Sequence, residues 1–245
     1  MHVLLTRPEG DAAELKASIE AIGLRVSLAP LLEIRLHPID ADALTGATAI
    51  VATSRNGLRA IAQSEAIGSA RALPVFAVGP GTGQLAKDLG FETVIAGPGT
   101  ALELIPIIAA HPGIQKDRLV HLAGDHLAFD LSGALSQQGI TLSAIPAYAS
   151  VAAETLPDDT ILALAAGSID TVVLMSPRSA ATWARLTNTL PIKQRLTDIT
   201  YICLSRAVAD ALSGTGGLKT VIADRPHADA IVSAVYRLAA SAKTG

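Results

Sequence analysis

The chain has 245 residues, half of them hydrophobic and only 3 % aromatic, with 17 % charged and a formal net charge of −3. That length supplies one large domain or two small ones, and the charge leaves no global positive field for nucleic acid or an acidic membrane surface. A single cysteine, Cys203, cannot close an internal disulfide, which points to a reducing compartment. The start, Met1 to Pro8, reaches Arg7 too soon for a signal peptide. No run of about 18 apolar residues occurs, so no membrane helix is predicted and a cytoplasmic location is expected.

Short apolar runs alternate with helical patterns along the chain. Val3–Leu5 reads as a buried strand, and an amphipathic stretch follows with Leu15, Ile19 and Ile22 on one face. Gly23 stands where a helix C-cap glycine belongs. Glu33–Pro38 alternates and reads as an extended segment ending at a proline. Buried strands follow at Ala49–Ala52, Val75–Val78, Thr93–Ala96 and Leu119–Leu122. Ala147–Val151 is extended again, and the last strands are Thr171–Met175, Thr200–Leu204 and Thr220–Ala223. Repeated strand–helix units predict an α/β fold, with parallel sheets flanked by helices.

An internal repeat is visible. Leu15, Ile19, Gly23 and Pro30 match Leu131, Leu135, Gly139 and Pro146 at a constant offset; Ala49–Arg55 resembles Thr171–Pro177, with Ser54 over Ser176; and Thr93–Ala96 recurs as Thr220–Ala223. The common order of these matches predicts two similar lobes. A literal duplication would divide the chain near residue 115. If the extended segments near Leu32–Leu36 and Ala147–Val151 are linkers, the chain crosses twice, giving lobes of 1–34 with 152–245 and of 35–151. The linkers would then form a two-stranded ladder, with a cleft between the lobes.

Gly79-Pro80-Gly81-Thr82-Gly83 looks like a phosphate loop but lacks the Gly-Lys-Ser/Thr ending, and Gln84 stands where a dinucleotide loop needs glycine. It reads as a tight strand-to-helix turn, or as a helix start that binds a carboxylate through backbone N–H groups. None of the six histidines has metal-pair spacing on a helix, and His121 reads as a satisfied core or edge histidine. No Gly-x-Ser-x-Gly elbow occurs. No metal and no cofactor are expected. Five strand-to-helix turns carry hydroxyls: Thr6-Arg7, Thr53-Ser54-Arg55-Asn56, Gly81-Thr82, Ser176-Pro177-Arg178-Ser179 and Ser205-Arg206. Helix N-capping is the ordinary reason for each. All five lie at carboxyl ends of predicted strands, where open parallel sheets bind ligands. Together with a few arginines they suit a ligand with many carboxylates.

With these turns in view, the sequence resembles the uroporphyrinogen-III synthase family over nearly its whole length. The residues that carry the resemblance are Val3–Pro8, Gly23 with Pro30-Leu31, Ala52–Gly57, Phe76–Gly79 with Thr82 and Leu85, Leu122–His126, Leu135, Gly139, Pro146, Tyr148, Leu174–Ala180 and Ile202–Ala209. The resemblance implies an enzyme that closes hydroxymethylbilane, a linear tetrapyrrole with eight carboxylates. Water is lost and the last ring is inverted through a spiro intermediate, without a cofactor. It implies Tyr148 as the catalytic proton donor. Ser54, Gly79, Thr82 and Ser176 match family positions that hold carboxylates, and Thr6, Arg7, Arg55, Asn56, Gly124, Pro177, Arg178 and Ser205 complete the substrate-binding candidates. Ser205 and Ala207 stand where the family commonly has glycine and threonine, and His126 and Leu127 stand where many members place an arginine. A monomer is expected, in transient contact with the upstream bilane-forming enzyme. The rival reading is a non-catalytic, two-lobed protein that binds small acids.

Overall fold

The computed structural model describes residues 1–112, 118–127, 129–212 and 217–244. The first third of the chain runs β1 (His2–Leu5), α1 (Glu9–Glu20), β2 (Arg25–Leu28), β3 (Leu32–Leu36), a 3-10 turn at Ala41–Leu44, β4 (Ala47–Ala52), α2 (Arg55–Ala62), α3 (Ile67–Ala70) and β5 (Val75–Ala77). The middle third runs α4 (Pro80–Asp88), β6 (Val94–Ala96), α5 (Ala101–Ala109), β7 (Arg118–Gly124), α6 (Leu131–Ser136) and β8 (Thr141–Ala152). The last third runs α7 (Asp158–Ala165), β9 (Thr171–Leu174), α8 (Pro177–Asn188), α9 (Lys193–Asp198), β10 (Thr200–Cys203), α10 (Arg206–Asp210), β11 (Lys219–Ile222) and α11 (Ala228–Thr244).

The chain divides into two compact units, Met1–Glu33 with Val151–Gly245, and Ile34–Ser150. The first carries a parallel sheet in the order β11-β10-β9-β1-β2. Its central strands β1 and β9 are buried at every position because both faces are covered. Leu4, Val172 and Leu174 face one core, with Trp183 of α8. Val3, Leu5 and Val173 face the other, where Leu15 and Ile19 of α1 meet Ile231 and Val235 of α11. Arg25–Leu28 escapes the strand pattern in the sequence because β2 is the edge of this sheet and only partly buried.

The second unit carries the order β3-β8-β7-β4-β5-β6. Ile50 and Ala52 face a core with Leu58 and Ile61 of α2, and Ala49 and Val51 face one with Leu104 and Ile108 of α5. The five parallel strands β8-β7-β4-β5-β6 repeat the order β2-β1-β9-β10-β11. The repeat is therefore real in topology but circularly permuted: the pair β1, β2 opens its unit, whereas its counterpart β7, β8 closes the other. The extra strand β3 runs against β8, with the N–H of His37 on the Ala147 carbonyl (2.8 Å) and that of Ala153 on the Leu31 carbonyl (2.9 Å), an antiparallel register.

Both sheets change direction of progression between their middle strands, between β4 and β7 in one unit and between β1 and β9 in the other. At such a switch the connecting helices diverge to opposite faces, leaving a crevice at the carboxyl ends of the two strands.

Candidate active site

In the Ile34–Ser150 unit that crevice is a cavity of about 460 Å³. Thr53, at the end of β4, and His121, on β7, meet across it with Oγ1 to Nε2 at 2.8 Å. Burial alone pushes the His121 imidazole down from 6.5 to about 4, so it is neutral at physiological pH. Tyr148 of β8 lines the same cavity. Its ring lies over Gly124, the residue it pairs with in register: a Cβ at Gly124 would stand 2.7 Å from Tyr148 Cζ and 2.9 Å from Oη. Gly124 was a candidate for touching ligand; here its lack of a side chain makes room for the tyrosine. The N–H of Asp125 donates to the Tyr148 carbonyl at 3.0 Å and Asp125 Oδ1 accepts from the Ser150 N–H at 3.1 Å, which pins β8 at the tyrosine and just after it. Leu102, Leu127 and Phe129, exposed by 62 %, 54 % and 37 %, form the apolar part of the wall.

The other predicted residues of this unit stand on neighbouring helix starts. Ser54 caps α2, its hydroxyl accepting from the Asn56 N–H at 3.2 Å. Arg55 is half-buried at the first helical position. Asn56 is buried and its Oδ1 accepts from Arg59 Nη1 at 2.7 Å, so its side chain holds the helix rather than reaching out. Gly79 caps α4 with no side-chain bond, and Pro80 occupies the first turn, where its missing N–H costs nothing. Thr82 is buried in that turn. Gly79 and Gly83 of this loop serve packing, since a Cβ would lie 3.1 Å from Gly99 Cα at the first and 2.9 Å from Ala96 Cβ at the second, whereas one at Gly81 would meet open space.

In the unit of β1 and β9 the predicted residues again sit at the carboxyl edge. Thr6 is 2 % exposed and its hydroxyl donates to the Val173 carbonyl at 2.7 Å. It ties β1 to β9, so this hydroxyl is spent within the protein. Arg7 Nη1 lies 3.8 Å from Met175 Sδ across the same two strands. Ser176 caps α8 in a reciprocal box with Ser179, with Pro177 at the first position and Arg178 half-buried next to it. Ser205 precedes α10, and its hydroxyl makes no cap bond there. A second cavity in this unit, of about 420 Å³, lies at the opposite, amino edge beside Met1, Asp170 and Thr200, and no predicted site residue lines it.

His121 was not among the residues expected to act. The signal available was that one polar side chain interrupts the run Leu119, Val120, Leu122, Ala123 near a strand's carboxyl end. Among the described residues no three His, Cys, Asp or Glu side chains are grouped to hold a metal ion, and no helix is long and apolar enough to cross a membrane.

A family model described as uroporphyrinogen-III synthase HemD matches residues 13–233. The chain belongs to the uroporphyrinogen-III synthase family. It is thereby a cyclising lyase of haem biosynthesis, an enzyme whose substrate is a small-molecule tetrapyrrole. The fold is similar to uroporphyrinogen-III synthetase from Helicobacter pylori, with a TM-score of 0.68 and 15 % identity, covering 97 % of this chain and 99 % of that one. It is also similar to a mutant uroporphyrinogen III synthase from Thermus thermophilus, with a TM-score of 0.56 and 19 % identity, covering 98 % and 99 %. No curated protein matches by sequence.

Proposed function

We propose that this chain closes hydroxymethylbilane to the type III macrocycle, with Tyr148, at the carboxyl edge of its own sheet, beside the departing hydroxyl. The observation that supports this most is the Tyr148 ring, seated over Gly124 at the β4–β7 switch with its Oη bonded to no protein group among the described residues. A phenol held by packing and not by a partner keeps its proton available for a ligand.

The reaction asks little acid–base power of the protein. The terminal pyrrole nitrogen pushes electrons toward its hydroxymethyl carbon, the C–O bond breaks, and Tyr148 Oη–H supplies the proton that turns the leaving hydroxide into water. Closure with inversion follows through the spiro intermediate, and the proton lost when the last pyrrole regains its aromaticity returns to the phenolate. In water the bilane closes head to tail without inversion, so the protein's main contribution is geometry, which lowers such barriers by several kcal/mol. The proton donor adds a further factor of about a hundred, the low end for such groups, because the bilane is already reactive.

The eight carboxylates require anion contacts that cost no net charge. The first-turn N–H groups at Gly79–Thr82 and the turn of Ser54 and Arg55 offer them, and Arg178 and Ser205 offer the same kind of contact at the edge of their own sheet, while Asn56, Ser176 and Pro177 shape these turns, their N–H groups being taken by hydroxyls or, in Pro177, absent. The substrate's reactivity in water also favours direct transfer of the bilane from the enzyme that makes it, to a protein we take to be a cytoplasmic monomer. A non-catalytic acid-binding protein is not favoured by the family assignment.

The test is to supply hydroxymethylbilane to chelator-treated protein and separate the type III from the type I product. Type III is expected, with Tyr148→Phe reducing its rate several-fold to about a hundred-fold at an unchanged melting temperature. Type I alone, or an unaltered Tyr148→Phe rate, contradicts the assignment of this site.

A further inference from the structure

The cavity at the β4–β7 switch contains a group that the mechanism above leaves unused. His121 is 4 % exposed, and its Nε2 is taken by Thr53. Its other ring nitrogen, Nδ1, has no partner among the described residues. Yet among the described residues no fully buried side-chain nitrogen or oxygen lacks one. Nδ1 is therefore open to the cavity that the residue lines. A purely structural histidine here would be a poor choice, since burying an imidazole on a strand costs free energy that a valine would not.

Thr53 is a partner that permits a change of state. A carbonyl could only accept and would fix Nε2 as a donor. A hydroxyl can donate to Nε2 of the neutral ring, or accept from it in the other neutral tautomer or in the charged ring. Nδ1 carries a proton in the first and third of these states and accepts in the second, so a carboxylate in the cavity selects a state in which an N–H faces it.

The wall sets the sign of the ligand. The side chains reaching the cavity include two imidazoles, a phenol, two threonine hydroxyls and no carboxylate. Around His121, β8 brings Tyr148, the segment after β7 brings Asp125 and His126, α5 brings Glu103, the start of α6 brings Asp130, and β4 brings only Thr53. Each of those acids is committed: Glu103 to Thr100 Oγ1 at 2.7 Å, Asp130 to the Gly133 N–H at 2.9 Å, and Asp125 to the Ser150 N–H at 3.1 Å with His126 at 3.7 Å. Leu102, Leu127 and Phe129 add an apolar face for a flat ring.

We propose that Nδ1 of His121 recognises a carboxylate on a pyrrole seated in this cavity, and that this binding takes up one proton from solution. The proposal rests on the reading of the ligand as a polycarboxylated tetrapyrrole. It assigns to His121 a specificity-determining role that is separate from the proton donor. Without an anion nearby, burial keeps the ring neutral down to about pH 4. A carboxylate against Nδ1 supplies the missing counter-charge and raises the imidazole's affinity for a proton. Below that raised value and above about pH 4, each unit of falling pH tightens binding by up to about tenfold.

The probe is a stable monopyrrole bearing two carboxylate side chains, titrated calorimetrically at pH 5.5 and pH 7.5 in buffers of different ionisation enthalpy. More than half a proton per site is expected at pH 5.5, with tighter binding than at pH 7.5. His121→Gln, which keeps a donor in place, is expected to lose both the uptake and the pH dependence, while His126→Gln keeps them. Nitrogen-15 shifts of the His121 ring in the wild-type protein, free and bound, read the same protonation if the Gln variant fails to fold. Undiminished uptake in His121→Gln, loss of uptake in His126→Gln, a ring that stays neutral when the probe is bound, or no binding by protein that makes type III product overturns the proposal. Probe binding with uptake at His121 in a protein that makes no type III product leaves this site standing and removes the enzymatic reading instead.

Discussion

Gly124→Ala separates a glycine that touches ligand from one that seats the tyrosine. The added Cβ would lie 2.7, 2.8 and 2.9 Å from Cζ, Cε2 and Oη of Tyr148. Ordinary contact begins near 3.4 Å, so the ring has to retreat by about 0.7 Å or swing away. Tyr148 is half-buried, so it can move at a stability cost of about 1–2 kcal/mol. A proton donor displaced by most of an ångström loses up to about a hundredfold in rate. The type III assay on Gly124→Ala, on Tyr148→Phe and on the double variant forms a cycle. The two single losses are expected to be similar, and the double variant no worse than either, because both remove one donor from one place. Full activity in Gly124→Ala, or losses that multiply in the double variant, refutes the idea that Gly124 acts through Tyr148.

Three further outcomes are expected. His121 is held at about 4 in the folded protein, against 6.5 when unfolded; the stabilisation from keeping it neutral is complete above about pH 6.5 and drains away toward pH 4, about 3 kcal/mol in all. Denaturant midpoints across that window should fall less steeply in His121→Gln, and equal slopes would remove the burial argument. Gly57→Ala puts a Cβ 2.7 Å from the Leu122 carbonyl oxygen and 2.8 Å from its Cβ; most of that contact is backbone, so α2 is pushed off β7 and about 2–3 kcal/mol is lost in chemical denaturation, whereas an unchanged midpoint means the helix has room. Thr6→Val strips the donor from the Val173 carbonyl and is expected to cost about 1–2 kcal/mol of stability with the type III rate intact; a large fall in rate at unchanged stability would return Thr6 to the ligand.

The strands, their parallel arrangement and the placing of hydroxyl turns at one edge were legible in the sequence, because they follow from local rules. An all-apolar run such as Ala49–Ala52 has both faces covered, and a serine before a helix caps it. Gly23 and Gly139 mark matching turns because both adopt positive φ, at 81° and 76°. Tyr148 was found through resemblance alone, as nothing about an isolated tyrosine on an extended segment announces a proton donor.

Tertiary structure decided what composition and spacing carry no trace of. Which hydroxyls are spent depends on partners distant in the chain: Thr6 on Val173, and Thr53 on His121. The permuted strand order also lies beyond local pattern, because pairing of β1 with β9 joins residues about 170 positions apart, and only the filling of a shared core selects it. Gly124 shows the same limit at the scale of one atom. Its glycine is legible as a letter, but the reason for it is the Tyr148 ring 2.7 Å from where its Cβ would be, and close packing between strands is a property of the folded chain alone.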